Sequence, residues 1–194
     1  MANKTFIAII VAAGFVCRYS SGHAQTATWK IDPSHSSVNF EITHMAVSHV
    51  HGSLTNVSGV VELNDKDITQ SSVEATIDTT TVSTGVVIRD NTLKSDNFFN
   101  VNKYPQISFK SSSLRRNHGT VQLLGDLTLN GVTRSVTLDL DGPSPPQTIS
   151  GKTMSGFSAR GLMRRSDFRF GASKFNAVVG DDVKLTIDVE IDKQ

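Results

Sequence analysis

The sequence holds one cysteine, one tryptophan and five prolines in 194 residues. The cysteine, Cys17, falls in an N-terminal apolar run that reads as part of an export signal. Removal of that signal leaves no thiol, which excludes a disulfide framework, a thiolate metal centre and a cysteine nucleophile. Charge of one sign is lacking too. The formal net charge is +1, and loss of Lys4 and Arg18 with the signal takes it to about −1. There is no basic excess to draw nucleic acid or an anionic membrane, so the expected partner is neutral or apolar. The one long apolar run, Phe6 to Cys17, falls short of the roughly 20 residues that a spanning helix needs. Catalytic signatures are missing as well: the chain has no GxSxG, no HExxH and no GxxxxGK[ST].

What is present begins with the signal itself. Lys4 supplies a positive start, the apolar run follows, and Gly22 and Ala24 are the small residues a signal peptidase reads. Cleavage is expected after Ala24, which divides the chain into a signal over 1–24 and one domain over 25–194. About 170 residues bury close to 70% of their extended surface, enough to hold a domain without disulfides.

Beyond the signal the dominant pattern has a period of two. In Asp182 to Ile191, residues Val183, Leu185, Ile187, Val189 and Ile191 share one face, and Lys184, Thr186, Asp188 and Glu190 the other. The same alternation places Val38, Phe40 and Ile42 together, then Val73, Ala75 and Ile77, Ile107 and Phe109, and Val136, Leu138 and Leu140. One buried face and one wet face mark antiparallel strands. Asn130-Gly131 between two such runs predicts a hairpin, because a type I′ turn needs positive φ at both central residues. Asn64–Asp67 and Asn117–Gly119 are further turns. The pattern predicts an all-β fold of about eight strands, a barrel or sandwich. Two stretches break it. Val82 to Tyr104 is expected to be a loop with one or two short helices starting at Asp90 or Asn91, and Gly142 to Gly151 a loop without a strand. A barrel of eight strands is just wide enough to fill with side chains or to hold one slender ligand. The residues alone leave both open.

Four blocks of sequence, in order, resemble the YceI-like family of exported lipid-binding proteins. The first carries Trp29, Asp32, His35, Ser36, Phe40, His44 and Gly52. The second has Ser83, Arg89, Asp90, Leu93, Ser95, Phe98, Phe99, Tyr104 and Pro105. The third has Gly125, Asp126, Leu127, Thr128, Gly131, Val132 and Thr133, and the fourth Gly156, Phe157, Arg165, Ser166, Asp167 and Phe168. The resemblance implies an extended, lipocalin-like antiparallel barrel whose tunnel takes up a polyisoprenoid or similar apolar chain, with no cofactor. Two positions depart from the family pattern: Thr92 where His is usual, and Arg169 where Gly is usual.

Strand parity nominates Val38, Phe40, Ile42, Phe109, Leu127, Leu129 and Phe157 as tunnel lining, joined by Leu93, Phe98 and Phe99 from the helical insertion. Arg89, Asp90 and Arg165 are candidates for the mouth and a headgroup, with an internal ion pair as the competing role for Arg89 and Asp90. Periplasmic or secreted localisation and a polyisoprenoid partner follow from the signal and the resemblance together. Exposed strand edges would permit a homodimer if the barrel is not fully closed. Two alternatives belong to other classes. One is a metal-dependent or hydrolytic enzyme using His49 and His51, which share a strand face; the other is a ligand-free, stress-protective protein with a filled barrel.

Overall fold

A computed structural model describes residues 26–171 and 175–194. The segment 1–24, read as an export signal, lies outside the described residues. Eleven strands form one sheet: β1 (Thr26–Ile31), β2 (Ser37–His44), β3 (Ser48–Leu54), β4 (Val57–Asn64), β5 (Ser72–Asp78), β6 (Gln106–Asn117), β7 (Thr120–Leu129), β8 (Val132–Asp141), β9 (Gln147–Ile149), β10 (Lys152–Arg164) and β11 (Val179–Lys193). All pairings are antiparallel, and β11 closes the sheet by pairing β10 along one edge and both β1 and β2 along the other.

The result is a closed barrel of eight staves, because three pairs of strands run end to end: β1 with β2, β4 with β3, and β8 with β9 along β10. β1 and β2 lie in line along β11, with Ile31 opposite Ile191 and Ser37 opposite Asp188. β4 and β3 run alongside them, with Trp29 opposite Val61 and Val38 opposite Leu54. The break in the first long stave is built by the Asp32-to-Ser36 segment. The Asp32 amide donates to the Glu190 carbonyl at 2.9 Å, the Ser34 amide to Asp32 Oδ1 at 2.8 Å, and the Glu190 amide to Ser36 Oγ at 3.1 Å. These bonds hold the chain against β11 while it shifts register.

Turn chemistry follows the sequence closely. Asn130 and Gly131 have φ of 51° and 73°, and His118 and Gly119 have 46° and 89°, so both hairpins turn through left-handed pairs. Asn64 Oδ1 accepts from the amides of Lys66 and Asp67, and Asp67 caps a 3-10 turn over Ile68–Gln70. The insertion contains one helix, α1 (Val87–Lys94), which begins three residues before Asp90. Asp90 therefore lies in the first turn, where its carboxylate favours the helix start. The Gly142-to-Gly151 stretch is not wholly irregular, since Gln147–Ile149 pairs with Lys152–Met154. A three-residue run of Gln, Thr and Ile is too short to show an alternation.

Inside, aromatic and leucine side chains lie over glycines of the inner face. A Cβ on Gly125 would stand 2.5 Å from the Phe109 ring and 2.5 Å from the Lys110 carbonyl oxygen. Gly52 and Gly161 meet Phe40 and Leu138 in the same way. Outside, Glu74 with Lys110, Glu41 with Lys184 and Asp192 with Lys152 pair charges across neighbouring strands, so the outer face is a wet one. No helix among the described residues is long and apolar enough to cross a membrane.

Gly125→Ala should destabilise the barrel by about 1–3 kcal/mol, the range for overpacking a close-packed site. Adding Phe109→Ala should not restore stability, because the Lys110 carbonyl still blocks the new methyl. Chemical denaturation of the two variants checks this.

Candidate functional site

The lining residues nominated from strand parity share one surface. Val38 and Phe109 are buried, Leu129 is buried, and Phe40, Ile42, Leu127 and Phe157 are half-buried on the inner face. In the register, Phe109 opposes Leu127, Val38 opposes Ile187, and Phe157 opposes Val189. A shift between Ser111 and Ser113 carries Leu114 inward on the same strand, so parity holds only up to that point of β6.

Leu93, Phe98 and Phe99 belong instead to one end of the barrel. The Phe99 amide donates to the Leu93 carbonyl at 2.9 Å, and Phe98 and Phe99 are buried. Phe98 packs against Phe170 and Phe175 with ring centroids 5.5 and 4.9 Å apart, and Phe99 against Phe170 at 4.6 Å. These are contacts of an aromatic stopper. Toward the opposite end, Ile68 on its 3-10 turn packs with Leu114 and Leu123.

Between these two ends the inner wall is not fully covered. Val73, Leu127, Val136, Phe157 and Ile187 pack against both apolar clusters yet stay half-buried, as do Leu185 and Val189 on β11. An inward side chain keeps accessible area only where no neighbour closes over it, and a packed core leaves few such places. The wall concerned runs from β7 through β8 and β10 to β11. Val136, Leu185, Ile187 and Val189 were legible in the alternation.

The expected mouth residues serve the protein's own frame. Arg165, expected at the mouth, is instead 3% exposed, and all five of its N–H donors are engaged. Nε donates to the Gly180 carbonyl at 2.8 Å, Nη1 to those of Phe170 and Gly171 at 3.1 and 3.2 Å, and Nη2 to Asn176 Oδ1 and the Val179 carbonyl at 2.8 and 3.1 Å. The residues between β10 and β11 thus wrap a single guanidinium. Nothing is left for a headgroup, and no local pattern distinguishes a buried arginine from an exposed one. Arg89 Nε and Nη2 donate to Thr84 Oγ1 and its carbonyl at 2.7 and 3.0 Å, while the Asp90 carboxylate accepts from the Thr84 amide at 2.8 Å and from its hydroxyl. Both residues clamp Thr84 before α1, rather than pairing with each other.

His49 and His51 lie on the outer face of β3, 3.5 and 4.0 Å from the Glu41 carboxylate, which also accepts from Lys184 Nζ at 2.8 Å. Among the described residues the only trio with ligand atoms mutually within 4.8 Å is Asp32, His35 and Glu190. The alternative of a metal site on His49 and His51 finds no third ligand within that distance among the described residues. In the Asp32 trio a cation is already present: Lys152 Nζ stands 3.7 Å from Asp32 and 2.8 Å from Asp192.

The 3.0 Å bond from His35 Nδ1 to Asp32 Oδ2 sets the electrostatics of the β1–β2 break. His35 is raised above its ordinary 6.5 by that bond and by the nearby Glu190. Asp32 is held below 3.8 by the same bond and by the Ser34 amide. The His35 contribution is present below 6.5 and lost as pH rises through the raised value; the Asp32 contribution is present above 3.8 and lost as pH falls through the lowered value. The two overlap in mildly acid solution. An NMR titration should place His35 above 6.5, and Asp32→Asn should bring it back toward that value; a wild-type His35 at or below it would refute the pairing.

Arg169 follows the 3-10 turn Arg165–Phe168 with φ 53° and ψ 29°, a left-handed conformation that favours glycine. Arg169→Gly should raise stability by about 0.5–1 kcal/mol, net of the extra freedom glycine gives the unfolded chain, as a rise in melting temperature.

Comparison with known proteins agrees with this architecture. The family model for the YceI-like domain matches residues 29–191. "Protein YceI" of Shigella flexneri is 36% identical over 174 residues, covering 89% of this chain and 90% of the relative. Two crystal or solved structures share the fold at lower identity. BcnA of Burkholderia cenocepacia has a TM-score of 0.69 at 21% identity, over 82% of this chain and 98% of its own. A polyisoprenoid binding domain from Saccharophagus degradans, implicated in plant cell wall breakdown, has a TM-score of 0.62 at 16% identity, over 88% and 100%. With the family model spanning most of the chain and a relative at this identity over nearly all of it, the chain belongs to the YceI-like family.

Proposed function

We propose that this protein is an exported carrier that shelters one long apolar molecule, of polyisoprenoid type, against the inner wall of its barrel, and that it acts by binding rather than by catalysis. The observation that carries the reading is the half-buried inner wall of Leu127, Val136, Phe157, Leu185, Ile187 and Val189. A chain laid along that wall leaves water, and each buried CH₂ contributes about 0.8 kcal/mol. A few prenyl units therefore suffice for micromolar binding after the cost of association. The Saccharophagus domain of the same fold, described as polyisoprenoid binding, supports this class of ligand. Export rests on the apolar run from Phe6 to Cys17 and the small residues Gly22 and Ala24. The polar side chains that a headgroup or a reaction could use, Arg89, Asp90 and Arg165, are bonded within the protein. A single barrel suffices for this task, and a homodimer through the outer edge of β3 ahead of its bridge from Ser53 to Ser83 is the further arrangement that sedimentation would test.

Native mass spectrometry of protein purified from an exporting host, with organic extraction of what is released, tests the reading. A one-to-one adduct matching a polyprenyl or prenyl-quinone lipid is the expected result. Apo protein that takes up neither class when they are added would overturn it. Ile187→Phe, which fills mid-barrel space, should weaken uptake by about tenfold while costing no more than the usual 1–3 kcal/mol of overpacking.

A further inference from the structure

β8 and β10 are joined as neighbours only from Ser158 opposite Asp141 to Arg160 opposite Asp139. Beyond that point both strands continue. β8 is held by β7 down to Val132 opposite Leu129, and β10 by β11 as far as Arg164 opposite Asp182. Two firmly held strands therefore face each other with edges that pair with no other strand among the described residues, Val132–Leu138 on one side and 161–164 on the other. A cleft of about 410 Å³ occupies the gap. Its floor is formed by Phe168, a buried member of the inner apolar cluster, with Val136 and Met163, which pack against that cluster, and its lip by Arg134, Arg164 and Asp182. Both ends of the barrel carry packed side chains, the phenylalanine stopper on one and Ile68 with Leu114 and Leu123 on the other.

Resting on the carrier reading, we propose that this seam is the passage by which the apolar chain enters and leaves the barrel sideways, with the Phe168 side chain as its plug. An unpaired strand edge beside an apolar wall is where a barrel opens at least cost, since no ladder bonds must break. Phe168 is 1% exposed and belongs to the 3-10 turn Arg165–Phe168. That turn is anchored by Arg165 and by Ser166, whose amide and hydroxyl bond to Asp181 at 3.0 and 2.8 Å. Its backbone is thus fixed, and opening the seam needs only rotation of the ring. The lip carries cations and anions together, with Arg164 Nε 3.9 Å from Asp182 Oδ1, so it stays hydrated while the tail passes.

The test uses the full chain with Cys17→Ser, which leaves no native thiol, and follows uptake of a polyprenyl alcohol through the emission of Trp29, the single tryptophan. Thr137→Cys with Leu162→Cys, both exposed at the cleft and outside the ligand wall, bridged by a short bis-maleimide, ties the open part of the seam. Asp139→Cys with Arg160→Cys, opposite each other on the outer face of the paired part, is the control. Bridging the first pair should slow uptake and release by about tenfold or more, as closing a gate does, and bridging the control should change neither. Met163→Cys carrying a bulky maleimide should slow exchange in the same way and serves if the pair does not bridge. Unchanged rates in these blocked forms overturn the seam and leave the carrier reading standing. Failure of the unblocked protein to take up any polyprenyl chain overturns both.

Discussion

The structure depends on β11. This strand pairs with β10 along one edge and with β1 and β2 in succession along the other, and without it the sheet has no closure. Closure removes most of the edges that an open sheet of this size would present, leaving the outer edge of β3 and the seam between β8 and β10. It also sets the length of the barrel, because one strand must accommodate two shorter ones end to end. The Asp32-to-Ser36 segment answers that demand. Its bonds to the Glu190 backbone keep the chain on β11 through the break, and the His35–Asp32 pair and Lys152 stabilise it from outside.

Most of the polar residues that stand out in the sequence turn out to serve geometry. Arg165 gathers five acceptors at the β10–β11 connection, and Arg89 and Asp90 close on Thr84 at the start of α1. A buried guanidinium with every donor satisfied avoids the desolvation cost of an unpaired charge and fixes several backbone carbonyls at once. The same economy leaves the inner wall apolar. Large side chains lie over Gly52, Gly125 and Gly161 and fill part of the interior, while the wall from β7 to β11 keeps accessible surface.

That division joins packing to function. A barrel filled throughout would be more stable and could bind nothing inside; one emptied throughout would lose its core. Here the two apolar clusters hold the ends and one side, and the shared residues between them, such as Phe157 and Ile187, face the less crowded space. The seam between β8 and β10 lies on this same wall, so the least-paired part of the barrel adjoins its least-covered interior.

The sequence by itself determined the fold class, the hairpins and the inward faces. The period of two is a local property, and Asn130-Gly131 prescribes its own turn, so both survive without knowledge of the partner strand. The family resemblance supplied the barrel. Tertiary structure decided the rest. β10 carries Ser155, Ala159 and Gly161 on its inner face, too small to register as an apolar stripe, because Leu138 comes over Gly161 from another strand. α1 begins at Val87 rather than at Asp90, since its opening is clamped by Thr84 and not by a side-chain cap. Whether an arginine meets solvent or five backbone and side-chain oxygens, and whether two strands stay paired to their ends, depends on residues far apart in the chain. No local pattern carries that information.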